Sequence, residues 1–342
     1  MKKIAIPLIA AFAILAAAFF YSGGMKRGDT GLSASGPLTK VSVRSPWIRG
    51  NSEAGSEIAS ELGYFKEVGL EVTVNPGSVE NGAIRKVLTG EDQFGIFEPS
   101  QVLLAMANQK APLVILAVKG QRSPACMMAK ESNNIKTVKD FVGKRVGYNP
   151  SIDVAYQTML KAGGIDRSQF TEVRAGFTLE PFLQDQADVW PAYLTNEPIA
   201  AAAKGFPVTT ICADNLGVKL YEHALFARKD YVEKNPQVVE AFLRGFVKGW
   251  LFTLANPEKA GEILGQRIKD LDADLETKKL VAWVPLINAD RAKTDGFGWF
   301  DAAMADELIK HLQEIKLMEQ PLNGADAVDN SFLKKIPRSI PQ

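Results

Sequence analysis

The stretch between residues 54 and 77 changes from helical to strand periodicity at a single glycine. Apolar residues first recur at spacings of three and four, which predicts a helix with one buried face. Gly69 ends that helix, and residues 70–75 then alternate apolar and polar side chains, which predicts a strand. With the apolar run at residues 41–43, the order is strand, helix, strand. Such units build open α/β sheets, which bind ligands at the carboxyl ends of their strands.

The same alternation continues along most of the chain and predicts two α/β lobes. A second α/β segment follows the first, then a strand returns at residues 224–227, and the remainder is helical in period. We predict that residues 38–121 and 222–342 form lobe 1 and that residues 122–221 form lobe 2. Each lobe is expected to be a mostly parallel sheet flanked by helices. Two hinge crossings and a helical C-terminal tail complete a clamshell that closes on a ligand.

The N-terminal segment, residues 1–37, predicts export from the cytoplasm. Lys2 and Lys3 precede an almost wholly apolar run at residues 4–21, and a Gly- and Ser-rich tether follows. The run is long for a cleaved signal peptide and sufficient for a membrane span. Two interpretations remain open, a cleaved signal peptide and a retained N-terminal anchor. Both predict a periplasmic or extracytoplasmic location.

Charge, cysteine and histidine content exclude several classes of function. Four of the 40 basic residues lie in or beside the N-terminal run, so the rest carries a formal charge of −3, without a basic stripe for nucleic acid. The two cysteines, Cys126 and Cys212, form either one disulfide or two small buried side chains. His223 opens an apolar strand and His311 lies in a helical run, so both are expected to be structural. We therefore predict no metal site, no cofactor and no catalytic residues.

Phosphate-binding motifs are also incomplete. Gly143-Lys144-Arg145 lacks the upstream glycine and the following Ser or Thr of a phosphate-binding loop. Residues 296–298 lack the third glycine of a dinucleotide fingerprint. The sequence thus favours a binding protein over an enzyme.

Several segments together resemble one family. They are Trp47 after the first strand, LGYFKEVGLEVTV at 62–74, GEDQFGI at 90–96, VKDFVGKRVGY at 138–148, ADVWPAYLTNEP at 187–198 and RKDYVEKNPQVVEAFLRGFVKGW at 228–250. The chain is similar to substrate-binding proteins of ABC importers, in the branch that takes in nitrate, sulfonate, riboflavin and thiamine-pyrimidine binders. The resemblance covers about residues 40–333 and implies a ligand held between two lobes by loops at strand ends.

In lobe 1, the resemblance points to two strand ends. Trp47, Asn51 and Glu53 follow the first strand, where an indole is suited to stack on a flat ring. The alternative for Trp47 is packing at the rim against the next helix.

The third strand end carries Glu98, Pro99 and Ser100. Backbone N–H groups and the Ser100 hydroxyl are expected to face the crevice there. The alternative is that these residues only cap the following helix.

In lobe 2, the first candidate group is Asn149, Ser151 and Asp153, at the boundary between a strand and a helix. Ser151 is the expected helix cap, and Asp153 complements the helix dipole, which explains both residues without a ligand. If they do face the cleft, Asp153 disfavours a small anion by like-charge repulsion.

The second group in lobe 2 is Tyr193, Asn196 and Glu197. Similar aromatic-x-x-Asn-Glu-Pro segments in thiamine-pyrimidine and riboflavin binders imply that the tyrosine and the acid meet a heteroaromatic ring. A carboxylate accepts two N–H bonds from an aminopyrimidine edge. The alternative is that Asn196 caps a helix with Glu197 in its first turn.

These features together predict an exported solute receptor that binds a thiamine-pyrimidine or riboflavin type of heterocycle and delivers it to a permease with its ATPase. A binder of a small oxyanion such as nitrate, an alkanesulfonate or taurine is the alternative. A membrane-tethered sensor that signals to a membrane partner is an alternative of another class. A monomer is expected, in contact with the membrane only if the N-terminal segment is retained.

Overall fold

The structure is a computed structural model that describes residues 36–78, 82–176 and 178–341. The predicted N-terminal signal or anchor lies outside the described residues. Within them, the strands form three sheets. The strands are β1 (Thr39–Arg44), β2 (Leu70–Asn75), β3 (Phe94–Phe97), β4 (Leu113–Gly120), β5 (Ala125–Lys130), β6 (Arg145–Tyr148), β7 (Thr171–Arg174), β8 (Trp190–Tyr193), β9 (Val208–Cys212) and β10 (Glu222–Arg228).

Helices cover both faces of the larger sheet and flank the smaller ones. The α-helices are α1 (Ala54–Glu61), α2 (Ala83–Leu88), α3 (Pro99–Asn108), α4 (Asp153–Gly163), α5 (Glu180–Leu183), α6 (Glu197–Ala203), α7 (Lys229–Lys234), α8 (Pro236–Ala255), α9 (Pro257–Arg267), α10 (Ala273–Ile287), α11 (Ala292–Asp295), α12 (Ala302–Glu314) and α13 (Gly324–Ala327). Short 3₁₀ turns lie at Asn51–Glu53, Lys66–Val68, Glu131–Asn133, Val138–Phe141, Pro150–Ile152, Arg167–Gln169, Ala213–Leu216 and Leu333–Lys335. None of the helices in the described part of the chain combines the length and apolarity that a membrane span needs.

The lobe 1 sheet has five strands in the order β2-β1-β3-β10-β4. β1 pairs in parallel with β2 and β3, whereas β10 runs antiparallel between β3 and β4. The amino end of β10 therefore lies at the sheet edge where β1, β3 and β4 end. Ala224 pairs with Phe97, so the residues just before Ala224 stand beside those just after Phe97. This register decides which polar groups meet at the cleft.

The core of lobe 1 depends on a close approach between α1 and α8. Helix α8 begins at Pro236 and buries apolar residues at spacings of three and four, including Phe242 and Phe246. Phe242 stacks on Phe94 of the sheet, with ring centroids 4.0 Å apart. A Cβ atom at Gly249 would overlap the Gly55 carbonyl oxygen, so only glycine allows the two helices to come this close.

The prediction of mostly parallel sheets needs a correction in lobe 2. Its three-stranded sheet, in the order β8-β5-β9, is antiparallel throughout. The physical reason is that β5 enters the lobe and β9 leaves it at the same hinge edge, so they run in opposite directions. β6 and β7 pair in parallel, and an isolated parallel bridge joins Val146 of β6 to Val189, just before β8. Cys126 and Cys212 stand opposite each other on β5 and β9 and form a disulfide.

The architecture is the predicted two-lobed clamshell. The strands of the larger sheet come from residues 39–120 and 222–228, and those of the smaller sheets come from residues 125–212. The exact lobe boundaries, 38–121 with 222–342 and 122–221, stay a prediction. Helix α12 also contacts lobe 2, because His311 Nε2 lies 2.8 Å from the Thr158 hydroxyl of α4. His311 is thus half-buried between helices and not simply on a helix surface.

Candidate ligand-binding site

A cavity of about 700 Å³ lies where strand ends of the two lobes face each other. Its size falls in the range of pockets that enclose small organic ligands. Lobe 1 contributes the loop after β1, the end of β3 with the start of α3, and the start of β10. Lobe 2 contributes the ends of β6, β7 and β8 and the first residues of α6. The cavity therefore forms at the place that the sheet topology predicts for a ligand.

Aromatic side chains from both lobes form part of the cavity wall. Trp47 and Phe97 come from lobe 1, and Tyr148 and Trp190 come from lobe 2. The Tyr148 hydroxyl donates to Asp153 at 2.8 Å, which holds the ring in place. Trp190 is almost fully buried and also reaches the cavity, so it belongs both to the lobe 2 core and to the wall. Aromatic faces on both lobes suit a flat ring system.

Glu98 is the main polar group at the lobe 1 side of the cavity. Its Oε1 accepts a hydrogen bond of 2.9 Å from the Tyr193 hydroxyl of lobe 2. Its Oε2 is buried and has no hydrogen-bond partner among the described residues. Burial raises the pKa of Glu98 to about 7, against the opposing effect of the Tyr193 bond. The side chain is therefore suited to both donate and accept near neutral pH.

Two further buried polar residues, Glu222 and His223, lie beside Glu98. Glu222 accepts from the Ser123 hydroxyl at 2.9 Å, and its other oxygen, Oε1, has no hydrogen-bond partner in the described ranges. Burial raises the pKa of Glu222 well above its usual value, and the nearby Glu98 adds to this. Burial lowers the pKa of His223 well below its usual value, helped by the charge of Lys119. His223 also has a left-handed backbone with φ of 55°.

The lobe 2 residues around α6 are mostly committed to local bonds. Glu197 Oε2 accepts from the Tyr193 backbone N–H at 2.7 Å, and Glu197 Oε1 accepts from the Asn196 amide at 2.8 Å. Burial raises the pKa of Glu197. Asn196 occupies the N-cap position of α6 with Glu197 in the first turn, as the alternative interpretation has it, but its side chain makes no capping hydrogen bond. The carboxylate instead holds the Tyr193 backbone at the cavity.

Seven of the twelve predicted site residues line the cavity: Trp47, Glu98, Asn149, Ser151, Tyr193, Asn196 and Glu197. Asn149, and not Ser151, caps the following turn, because its Oδ1 accepts from the Ser151 N–H at 3.0 Å. The prediction of Ser151 as the cap was therefore wrong.

Asn51 and Glu53 do not line the cavity. The Asn51 backbone N–H donates to Glu276 at 2.8 Å, and Asn51 accepts from the Trp283 indole at 3.0 Å. Glu53 accepts from the Ser56 hydroxyl at 2.7 Å and is fully buried. Both side chains turn into lobe 1 because the chain after Trp47 folds back under the sheet edge as a 3₁₀ turn.

Pro99, Ser100 and Asp153 also lie outside the cavity lining. Pro99 begins α3, and Pro99 and Ser100 are both buried in lobe 1. Asp153 acts behind the wall, where it accepts from Tyr148 and from the Gln157 amide at 2.8 Å each. Asp153 also lies 3.4 Å from the Arg167 guanidinium, whose opposite charge weakens the expected repulsion of a small anion in the cleft.

Sequence reasoning missed several lining residues, above all His223, which it took as structural. Phe97, Gln101, Tyr148 and Arg174 also line the cavity. The sequence does contain one indication of a role for His223. Glu222 and His223 are two adjacent titratable residues at the start of an otherwise apolar strand. Only the pairing of β10 with β3 reveals that this strand starts at the cleft.

The chain belongs to the NMT1/THI5-like family, whose profile matches residues 52–260. Among curated proteins it is similar to the riboflavin-binding protein RibY of Chloroflexus aurantiacus, with 24% identity over 88% of each chain. It is also similar to the formylaminopyrimidine-binding protein of Halalkalibacterium halodurans, with 26% identity over 85% of this chain and 89% of that one.

The fold also matches solved structures of transport proteins. The periplasmic aliphatic sulphonate-binding protein SsuA of Escherichia coli superposes with a TM-score of 0.67 at 16% identity, over 85% of this chain and 92% of that one. Together with the binding-protein relatives above, this match confirms the expected resemblance to ABC substrate-binding proteins.

Relatives named 4-amino-5-hydroxymethyl-2-methylpyrimidine phosphate synthase also match, including one from Legionella pneumophila with 21% identity over 90% of this chain and 96% of that one.

Proposed function

We propose that this protein is the solute-binding component of an ABC importer and that it captures a small heteroaromatic compound between its lobes. The observation that carries this proposal is the pairing of aromatic walls with one buried carboxyl group that has a free oxygen, Glu98. Aromatic faces provide contact area for a flat ring, and the carboxyl group fixes its orientation. The ligands named for the relatives from Chloroflexus and Halalkalibacterium, riboflavin and formylaminopyrimidine, belong to this chemical class.

The protonation chemistry of Glu98 supports the choice of ligand class. A protonated carboxyl group donates through its O–H and accepts through its carbonyl, which matches a ring nitrogen next to an exocyclic amine. The ionised form accepts two N–H bonds. A pKa of about 7 makes both forms available at neutral pH. Tyr193 from the opposite lobe would then hold the carboxyl group while the ligand occupies the cavity.

An inorganic anion is the less favoured ligand. Among the described lining residues, three carboxylates (Glu98, Glu172 and Glu197) outnumber one guanidinium, Arg174. Like charge disfavours a bare nitrate or sulfonate in such a site. Arg174 is exposed at the mouth, where it would suit a ligand that carries an anionic group away from its ring.

We also propose an extracytoplasmic location and delivery to a permease and its ATPase. The Cys126–Cys212 disulfide supports an oxidising compartment. Both cysteines of the chain form that bond, so no free thiol is available for a reaction at the site. We therefore propose binding and not synthesis.

Isothermal titration of the purified protein tests the ligand class. The panel is hydroxymethylpyrimidine, formylaminopyrimidine, riboflavin, nitrate and taurine, and binding of at least one heterocycle with no binding of the anions is expected. Quenching of tryptophan fluorescence should accompany binding, because Trp47 and Trp190 line the cavity. Binding of nitrate or taurine alone would overturn the proposal.

A further inference from the structure

Three side chains at the floor of the cleft have the composition of a transition-metal site. Glu98, Glu222 and His223 each offer a ligand atom, and these atoms lie within 4.8 Å of one another. The register between β3 and β10 places them together, since Phe97 pairs with Ala224. Two carboxylates and one imidazole form a donor set that Zn²⁺ accepts.

The three groups are incompletely satisfied by the protein. Glu98 Oε2, Glu222 Oε1 and His223 Nδ1 are buried without a hydrogen-bond partner in the part of the chain that the structure describes. Glu222 is 1% exposed and His223 is 5% exposed, so bulk water does not compensate them. Unpaired polar atoms of this kind are costly, and an ion bound through His223 Nε2 would satisfy the two carboxyl oxygens, Glu98 Oε2 and Glu222 Oε1.

The spacing within the pair from β10 fits a metal. His223 Nε2 lies 3.3 Å from Glu222 Oε1. Two ligands at a tetrahedral zinc with bonds of about 2.0 to 2.2 Å are separated by about 3.3 to 3.6 Å. Glu98 and His223 also line the cavity, so one coordination position would face the ligand space.

The charge balance of the surroundings favours a divalent cation. Glu53, Glu98 and Glu222 are three buried carboxyl groups, and Lys119 is the cation whose charge acts on Glu53 and Glu222. Lys119 is itself engaged, donating to the Ser52 carbonyl at 3.1 Å and lying 3.4 Å from the centre of the Trp283 ring. With every carboxyl group ionised, the net charge of the group is −2, which one divalent ion neutralises.

We propose that Glu98, Glu222 and His223 bind one divalent transition-metal ion of the Zn²⁺ type at the floor of the cleft. This inference departs from the expectation, drawn from the scarcity of histidine, that the chain has no metal site. It goes beyond the proposed transport function and does not depend on the identity of the solute, although an ion bound here would take the Glu98 oxygen that the metal-free protein offers to a solute.

Zn²⁺ binding to the purified, untagged and EDTA-treated protein tests the proposal, with no solute present. Competition with a chromophoric chelator should show one Zn²⁺ per chain, and Co²⁺ should produce visible absorption typical of low coordination number. Glu222→Gln and His223→Asn should each weaken Zn²⁺ binding at least about tenfold. Asparagine tolerates the left-handed backbone at position 223, so this variant keeps the fold.

His311→Asn is the matched control, because it removes the chain's other histidine, which contacts Thr158 away from the cavity. It should leave Zn²⁺ affinity within about twofold. Absence of stoichiometric Zn²⁺ binding at micromolar concentration would overturn the proposal, as would equal affinities of His223→Asn and His311→Asn. If circular dichroism shows that a β10 variant is unfolded, Glu98→Gln and the Co²⁺ spectrum of the wild type decide. Failure here leaves the solute titrations unaffected, so the two proposals are distinguishable.

Discussion

Two glutamates of lobe 1, Glu276 and Glu98, show how differently the same side chain is used in this protein. Glu276 Oε2 accepts from the Asn51 backbone and amide at 2.8 and 3.1 Å, and Glu276 Oε1 accepts from Lys279 at 2.8 Å. Glu98 has a single partner, Tyr193, and one oxygen without any among the described residues. A carboxylate whose bonds are all made within the protein stabilises the fold, whereas one left open at a cavity is available to a ligand.

The largest expected effect is on stability, from Glu276→Gln. The amide group would face the Lys279 ammonium and leave this half-buried cation without its partner. We expect the free energy of unfolding to fall by about 3 kcal/mol, as when one member of a buried ion pair is removed. Urea denaturation measures this change. Solute affinity of the folded protein should stay within about twofold, and a tenfold loss would contradict the structural role of Glu276.

Glu98→Gln should show the opposite pattern to Glu276→Gln, with a large loss of ligand affinity and a small change in stability. Loss of a hydrogen bond between the buried carboxyl group and the ligand is expected to cost about 2 kcal/mol, or about thirtyfold in affinity. At neutral pH the free energy of unfolding should change by less than about 1 kcal/mol, since the Tyr193 hydroxyl is the one hydrogen-bond partner of this side chain among the described residues. Isothermal titration and urea denaturation of the same preparation measure both quantities. An unchanged affinity would remove Glu98 from the ligand site.

Tyr193→Phe tests the bond that joins the two lobes at the cavity. It removes the hydroxyl donor to Glu98 and keeps the ring, so affinity should fall by about 1 kcal/mol, or about fivefold. Tyr156→Phe is the matched control, because Tyr156 also donates to a glutamate, Glu172, at 3.0 Å but does not itself line the cavity. Equal effects of the two variants would show that the Tyr193 bond has no particular role in ligand capture.

Stability should also depend on pH through Glu98. Its pKa in the folded protein, about 7, is above the unfolded value of 4.5. The folded state therefore holds the proton more tightly, and this contribution is fully present below about pH 4.5 and is lost as pH rises through 7. The free energy of unfolding of the wild type, relative to Glu98→Gln, should fall across that window. Parallel curves for the two proteins would show that Glu98 is not perturbed.

The smallest expected effect belongs to Glu197→Gln. Both Glu197 oxygens already accept local hydrogen bonds, from the Tyr193 backbone and from Asn196. A glutamine retains one acceptor, so affinity should change by no more than about twofold. A loss of tenfold or more in isothermal titration would place Glu197, and not only Glu98, against the ligand.

Local periodicity was sufficient to predict most elements of the fold. The predicted strand at residues 70–75 is β2, and the predicted returning strand at residues 224–227 lies within β10. These elements are amphipathic or almost wholly buried, so the spacing of apolar residues in their sequences reflects the face that packs against the core. Strand direction in lobe 2 was not predictable in this way, because β5 and β9 have the same apolar pattern whether they pair in parallel or antiparallel.

Part of the candidate site could also be predicted from local sequence patterns. Polar residues after strand ends pointed to Trp47, Glu98 and the Tyr193 segment, which line the cavity, and their contact with a ligand stays a prediction. Asn51 was placed there by the same rule but turns toward Trp283, some 230 positions away in sequence. A pattern of neighbouring residues does not contain that contact.

The sequence by itself determined the family, the order of helices and strands, and the aromatic character of the cleft, because these depend on residue type and local period. Only the tertiary structure decided which carboxylate oxygens have hydrogen-bond partners within the protein and which are available to a ligand. Glu276 accepts a hydrogen bond from the Asn51 backbone N–H. Glu98 lies beside Glu222 and His223 because β10 pairs with β3 in antiparallel register. Hydrogen-bond satisfaction is a property of three-dimensional neighbours, and those neighbours come from distant parts of the chain.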